Sequence, residues 1–205
     1  GVIRIVASST PAEYLVPALV AEFTHEHMGI SVEVSVADSA QVARTLSDRQ
    51  ADLGLSGMPS SAIGYSVLPM ARDEVVLAVS KQHKFADQRS ITIDQLRAEN
   101  IIEREGGSGT WQTVVHALSA AGIELPEHRT SMTLGSTQAL ISAVGQNLGV
   151  GFVSNYAVNS HSSDVVAIKI DGVSLERDLN LIYEPGRVRG RHTQAFIDFI
   201  ASKSS

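Results

Sequence analysis

Val2-Ile3-Arg4-Ile5-Val6-Ala7-Ser8-Ser9-Thr10-Pro11 opens the chain. Val2, Ile3, Ile5 and Val6 form an apolar, β-branched run of strand length, closed by a polar turn at Ala7-Ser8-Ser9-Thr10-Pro11. Next, residues 13–27 place Leu15, Leu19, Val20 and Phe23 at helical spacing, with Met28-Gly29 as a stop. Pro17 sits where a missing N–H matters little, because the first N–H groups of a helix lack intrahelical partners. Residues 30–36 alternate as a strand. Ser39 reads as the cap of a second helix carrying Val42, Ala43 and Leu46. Ala51-Asp52-Leu53-Gly54-Leu55-Ser56-Gly57 is a third short strand opening into a loop. Three strands alternating with two helices predict right-handed βαβ units and a parallel sheet.

Beyond this block, residues 67–70 and 74–80 read as two further strands, and then the alternation restarts. A short helix is predicted at 93–97 behind Thr92, and a strand at 100–104. The glycine-rich turn Glu105-Gly106-Gly107-Ser108-Gly109-Thr110 leads into a helix at 111–121 with Val114, Val115 and Leu118 on one face. A strand at 130–134 ends in Gly135-Ser136-Thr137 and a helix at 138–147, followed by a buried strand at 149–153. Strands at 165–170 and 179–183 precede a terminal helix at 194–202 with Ala195, Phe196, Phe199 and Ile200 as its apolar stripe. The pattern gives two small α/β lobes with a boundary near 75–79; the last strand and helix fit either lobe, and their return to the first would make the chain cross twice.

Composition fits this reading. The chain has 205 residues, 43% hydrophobic and 19% charged, enough for a sizeable core and unlike a disordered chain. There is no cysteine, so disulfides and thiolate metal sites are excluded. The net charge of −6, without a Lys/Arg run, makes the chain a poor nucleic-acid binder by itself. It has no basic amphipathic helix suited to a membrane surface, and apolar runs such as 75–79 are too short to span a bilayer. The chain begins directly on its first core strand without an initiator Met, which favours removal of an upstream part.

Candidate chemistry lies at three strand-to-helix junctions: Ser8-Ser9-Thr10, Ser108-Gly109-Thr110 and Gly135-Ser136-Thr137. A helix N-terminus offers unpaired N–H donors and roughly half a positive charge. Glycine lets a ligand approach the backbone, and hydroxyls add donors. Three such turns would suit a carboxylate, sulfate or phosphate without Lys or Arg. Any one of them taken alone reads better as an ordinary N-cap, since Ser and Thr are favoured caps; their repetition at three βα junctions shifts the balance toward a shared cleft. Ser56-Gly57 is a weaker fourth candidate that also reads as a tight turn. Trp111 and Tyr156 could line a pocket, although an aromatic that opens a helix, as Trp111 does, more often packs between lobes.

Catalytic and metal readings find less support. Gly107-Ser108-Gly109 is not a G-x-S-x-G elbow, and the glycine-rich turn lacks the Lys of a phosphate-binding loop. His25-Glu26-His27 sits on a polar helix end where residues two apart face different directions, and His161 lies in a Ser-rich loop without a partner at ligand spacing. No metal, cofactor or catalytic residue is expected.

The ordered set of motifs resembles the effector-binding domain of LysR-type transcriptional regulators. It comprises the opening segment 3–17, Ala51-Asp52-Leu53-Gly54-Leu55 with Gly57, the turn 105–110, Leu134-Gly135-Ser136-Thr137, and Asn147-Leu148-Gly149-Val150-Gly151-Phe152-Val153-Ser154. The resemblance covers essentially the whole chain. It implies an α/β fold of the periplasmic-binding-protein type II kind, two Rossmann-like lobes joined by two crossover strands. Lobe I would comprise 1–75 plus 180–205, and lobe II 76–179. A small polar or anionic effector would lie between the lobes, held by Ser8, Ser9, Thr10, Ser56 and Gly57 from one and by Ser108, Gly109, Thr110, Ser136 and Thr137 from the other, with Phe152 on the wall. It further implies a cytoplasmic, non-enzymatic regulatory domain whose winged helix-turn-helix lies outside this sequence and supplies all DNA contact. Such domains pair side by side and antiparallel, here the helix at 13–27 against the partner's helix at 138–147, as homodimers that assemble into homotetramers at full length. The rival is a periplasmic solute-binding protein for a small oxyanion or organic acid; a more distant one is an enzyme on the same scaffold, such as a dehydratase or transferase.

Overall fold

The structure, a computed structural model, describes residues 1–57 and 64–203. The chain divides into two compact units, residues 1–72 with 178–205 and residues 73–177. It passes between them twice, in the fourth and tenth strands.

Unit 1 begins with β1 (Val2–Ser8), α1 (Ser9–Tyr14), α2 (Val16–Glu26), β2 (Ser31–Ala37), α3 (Ser39–Ser47) and β3 (Leu53–Ser56). Strands β2 and β3 flank β1, both parallel to it, as the βαβ reading predicts. The first half of β4 (Ser66–Ser80), the second half of β10 (Glu176–Tyr183) and α7 (Arg191–Lys203) complete the unit. Strand β10 lies antiparallel to β3, with Asn180 opposite Ser56. Ile3, Ile5, Leu53, Leu55 and Leu181 pack with Phe23 of α2 and Phe196, Phe199 and Ile200 of α7. On the other face of the sheet, Val6 and Ile182 meet Val42 and Leu46 of α3.

Three local expectations are corrected here. The helix predicted at 13–27 is two helices. It starts earlier, at Ser9, and breaks at Leu15 (φ −112°), because Pro17 lacks an N–H and its ring crowds the carbonyl four residues back. The cap of α3 is Asp38, whose carboxylate accepts the N–H of Gln41 at 2.7 Å; Ser39 is the first helical residue. The strands predicted at 67–70 and 74–80 are one 15-residue strand, β4, because Asp73 at the apparent polar break is buried and paired rather than solvated.

Unit 2 contains the rest: β5 (Ser90–Ile91), a 3-10 helix (Ile93–Ala98), β6 (Asn100–Arg104), α4 (Gly109–Ala120), β7 (Arg129–Leu134), α5 (Thr137–Gly145), β8 (Gly151–Ser154), α6 (Asn155–Ser160) and β9 (Val165–Ile170). Thr92 and Gln95 form a capping box on the 3-10 helix. Helix α6 ends at Ser160, directly before His161, and so takes up the start of the Ser-rich loop expected around that residue. Residues 75–80 of β4 pair antiparallel with β8 and β9, and β5 adds parallel to β9. Strands β6 and β7 pair in parallel, and Val150 bridges to Ile101. The core joins Leu77, Val79, Leu96, Ile101, Val114, Leu118, Phe152 and Ile168.

Candidate functional site

Register places the unit 1 candidates together. Ala7 pairs with Leu55, so the next residues, Ser8 and Ser56, end their parallel strands level with one another. Ser8 stands at the N-cap of α1 without a side-chain capping bond, and Ser9 and Thr10 are the first residues of that helix. Ser8, Ser9, Thr10, Ser56 and Gly57 are all buried.

In unit 2, Arg104 pairs with Leu134, so the turns after β6 and β7 leave the same sheet edge. Ser108 caps α4 by accepting the N–H of Trp111, and Ser136 caps α5 by accepting that of Ala139. The N-cap reading of both turns therefore holds for their serine side chains. Gly109, Thr110 and Thr137 follow as buried first-turn residues, and Ser136 is half-buried. Phe152 is 2% exposed and packs inside the apolar core, its ring 6.2 Å from that of Trp111.

The structure adds charged residues that the sequence reading missed. Arg104 is buried at the end of β6. It donates Nε and Nη2 to the two carboxylate oxygens of Glu105 (2.8 and 2.7 Å), Nε also to the Leu134 carbonyl (3.2 Å), and Nη1 to Thr137 Oγ1 (3.0 Å). A second group joins Asp73, Ser154 and Arg177. Ser154 Oγ donates to Asp73 Oδ1 at 2.7 Å, and Arg177 Nε to Oδ2 at 2.8 Å. Burial pushes the Arg177 guanidinium below its ordinary value, Asp73 opposes that push, and Arg104 adds to it. Burial, and secondarily Asp73, raises the Tyr156 phenol. A signal for these residues was absent from the sequence, where a charge at a strand end reads as solvated.

The histidines have local partners: the His27 ring stacks on Phe23 at 4.2 Å, and His161 Nδ1 lies 2.9 Å from the Ala157 carbonyl. Among the described residues, no three His, Asp or Glu side chains are grouped to hold a metal ion, and no helix is long and apolar enough to cross a membrane.

Two α/β units and two crossing strands define the class: a domain of the periplasmic-binding-protein type II-like fold. The chain belongs to the LysR substrate binding domain family, which it matches over residues 1–205. It is 31% identical over 170 residues to an uncharacterized HTH-type transcriptional regulator of Methanocaldococcus jannaschii, covering 83% of this chain and 57% of the relative. It is 26% identical over 196 residues to the HTH-type transcriptional activator CmpR of Synechocystis, covering 95% and 64%. The chain thus spans about six tenths of the length of these two relatives. Among solved structures, the Synechocystis CcmR regulatory domain in complex with 2-PG superposes with a TM-score of 0.88 at 25% identity, over 100% of this chain and 97% of that one. The effector-binding domain of QuiR in complex with shikimate gives 0.86 at 19% identity, over 100% and 97%. Relatives named as transcription regulators favour the regulator reading over the solute-binding one.

Proposed function

We propose that this chain senses a small polar or anionic metabolite on behalf of a transcription regulator, and catalyses no reaction. The observation that carries the reading is the repetition, in both units, of buried hydroxyl residues where parallel strands end and helices begin. Ser8, Ser9, Thr10, Ser56 and Gly57 would face the ligand from unit 1, and Ser108, Gly109, Thr110, Ser136 and Thr137 from unit 2. Phe152 and Trp111 would back the unit 2 turns. Helix N-termini and hydroxyls favour an anion without requiring a cation. That agrees with the 2-phosphoglycolate and shikimate named for the two superposed domains.

The mechanism is linkage. A ligand that touches both units binds a closed arrangement better and shifts the population toward it, by no more than its differential affinity. In a cytoplasmic full-length regulator, closure would re-angle a homodimer, and the tetramer built from it, and so reposition helix-turn-helix domains on DNA. The dimer would set the segment of α1 and α2 against the partner's α5.

Calorimetric titration with sulfate, shikimate and 2-phosphoglycolate tests the site. Thr110→Ala and Thr137→Ala each remove one hydroxyl donor, and each is expected to weaken the best of these ligands by about tenfold. Unchanged affinity in both variants rejects the assigned pocket.

A further inference from the structure

We infer that Arg104 is a positioning residue: its buried guanidinium holds the two ligand-facing turns of unit 2 at a fixed spacing without touching the ligand. The inference rests on the cleft reading above for what the turns bind, and on geometry alone for the spacing.

The guanidinium has three kinds of partner, each on a different segment. Glu105, held bidentately, opens the glycine-rich turn, and its carbonyl accepts the N–H of Ser108 at 2.9 Å. The Leu134 carbonyl ends β7. The Thr137 hydroxyl belongs to the first residue of α5. One planar group therefore links the start of α4, through Glu105, to the start of α5. The arginine side chain is 4% exposed and that of Glu105 25%, so the pair works where water competes little.

The chemistry fits positioning better than direct recognition. The bidentate carboxylate already neutralises the guanidinium, leaving little net charge to attract a ligand. Buried ion pairs add little net stability, because desolvation offsets the attraction; what a bidentate pair does fix is geometry. By accepting an N–H from Arg104, the Thr137 hydroxyl is held at a fixed place in the first turn of α5. Lysine cannot replace this residue: a single ammonium lacks the planar fork that spans carboxylate, carbonyl and hydroxyl together.

The test compares the parent with Arg104→Lys and Glu105→Gln by two measurements. Amide exchange on the ligand-free proteins is expected to quicken at residues 108–111 and 137–140 together in both variants, with 165–170 unchanged. Calorimetry with 2-phosphoglycolate is expected to show binding weakened by about tenfold or more in both, the loss of one or two charge-assisted hydrogen bonds. Glu105→Gln gives the discriminating sign. If Arg104 contacts the ligand directly, freeing its charge tightens binding of this anion, and that result overturns the inference. Exchange that quickens in one turn alone, or in neither, also overturns it. Should the parent bind neither 2-phosphoglycolate nor sulfate, the cleft reading fails for small anions while the exchange data still decide the role of Arg104. Glu105→Gln keeps the test decisive if Arg104→Lys does not fold.

Discussion

Asp73 and Arg72 are neighbours in one strand with opposite surroundings, and they predict opposite outcomes. The Asp73 side chain is fully buried against Arg177 and Ser154, so Asp73→Asn leaves an uncompensated buried guanidinium. Urea unfolding should show about 3–5 kcal/mol of lost stability. Arg72 meets Asp178 at 3.3 Å with its side chain 70% exposed, and Arg72→Ala should change stability by at most about 1 kcal/mol. Equal effects would contradict the burial argument. Tyr14 gives a pH prediction. Burial first, and Glu13 second, push its phenol up to about 12 from an ordinary 10.0. Between those values the unfolded chain has lost the proton that the folded chain keeps, so stability from this group is full below pH 10 and falls as pH rises toward 12. Tyrosinate absorbance should contain a high-pH component that Tyr14→Phe removes; an identical curve for both proteins refutes the assignment. The hydroxyl residues of the candidate site could be picked out in the sequence because Ser, Thr and Gly at strand ends carry a local signature. Arg104, Asp73 and Arg177 could not: the carboxylate partner of Arg104 is the adjacent Glu105, but the Thr137 hydroxyl that it joins lies 33 residues away, Asp73 meets Ser154 across 81 and Arg177 across 104, and no local pattern encodes such pairings.

The elements were legible wherever apolar periodicity was strong, and the errors fall where one residue overrides it. The break at Leu15 follows from Pro17, and the fusion of two predicted strands into β4 follows from burying Asp73. The motif Asn147-Leu148-Gly149-Val150-Gly151 has an equally local cause. Strand β6 runs so close that a Cβ on Gly149 would lie 2.5 Å from the Asn100 carbonyl oxygen. In unit 1, a Cβ on Gly54 would meet Leu46 Cδ1 and Val42 Cγ1 at 2.8 Å, where α3 presses on β3. Both glycines permit close packing of two elements, but their neighbours differ in what can yield. The end of the Leu46 side chain can rotate, although Val42 is stiff at χ1, whereas a backbone carbonyl held in the Val150–Asn100 hydrogen bond cannot move without breaking the pairing. Gly54→Ala should therefore cost about 1–3 kcal/mol, the usual range for overpacking, and Gly149→Ala more than Gly54→Ala. Denaturant midpoints measured side by side test the order; a larger loss at Gly54 would mean that the β6 edge gives way more easily than its hydrogen bonds indicate.

At the scale of the whole molecule, the alternation of strands and helices points to two small α/β lobes but leaves the last strand and helix open to either; the antiparallel pairing of β10 with β3 is long-range and has no local signature. Each unit has its own apolar core, one around Phe23, Phe196 and Leu181, the other around Leu77, Ile101 and Phe152. On the proposed reading, a ligand is what makes the two respond together, and this sets a test that no single-site variant provides. Ligand at a hundredfold excess over its Kd should raise the unfolding free energy by about 2.7 kcal/mol, whichever residues it touches. The location of that stabilisation is the informative part. If the ligand engages hydroxyl turns in both units, amide exchange should slow at 8–10 in unit 1 and at 108–110 and 136–137 in unit 2, with the same concentration dependence in each. Thr137→Ala should then weaken protection at 8–10 as much as at 108–110, since one binding event is shared. If protection is confined to one unit, the ligand has no differential hold on a closed arrangement, and linkage between sensing and DNA binding would have to run through a different surface.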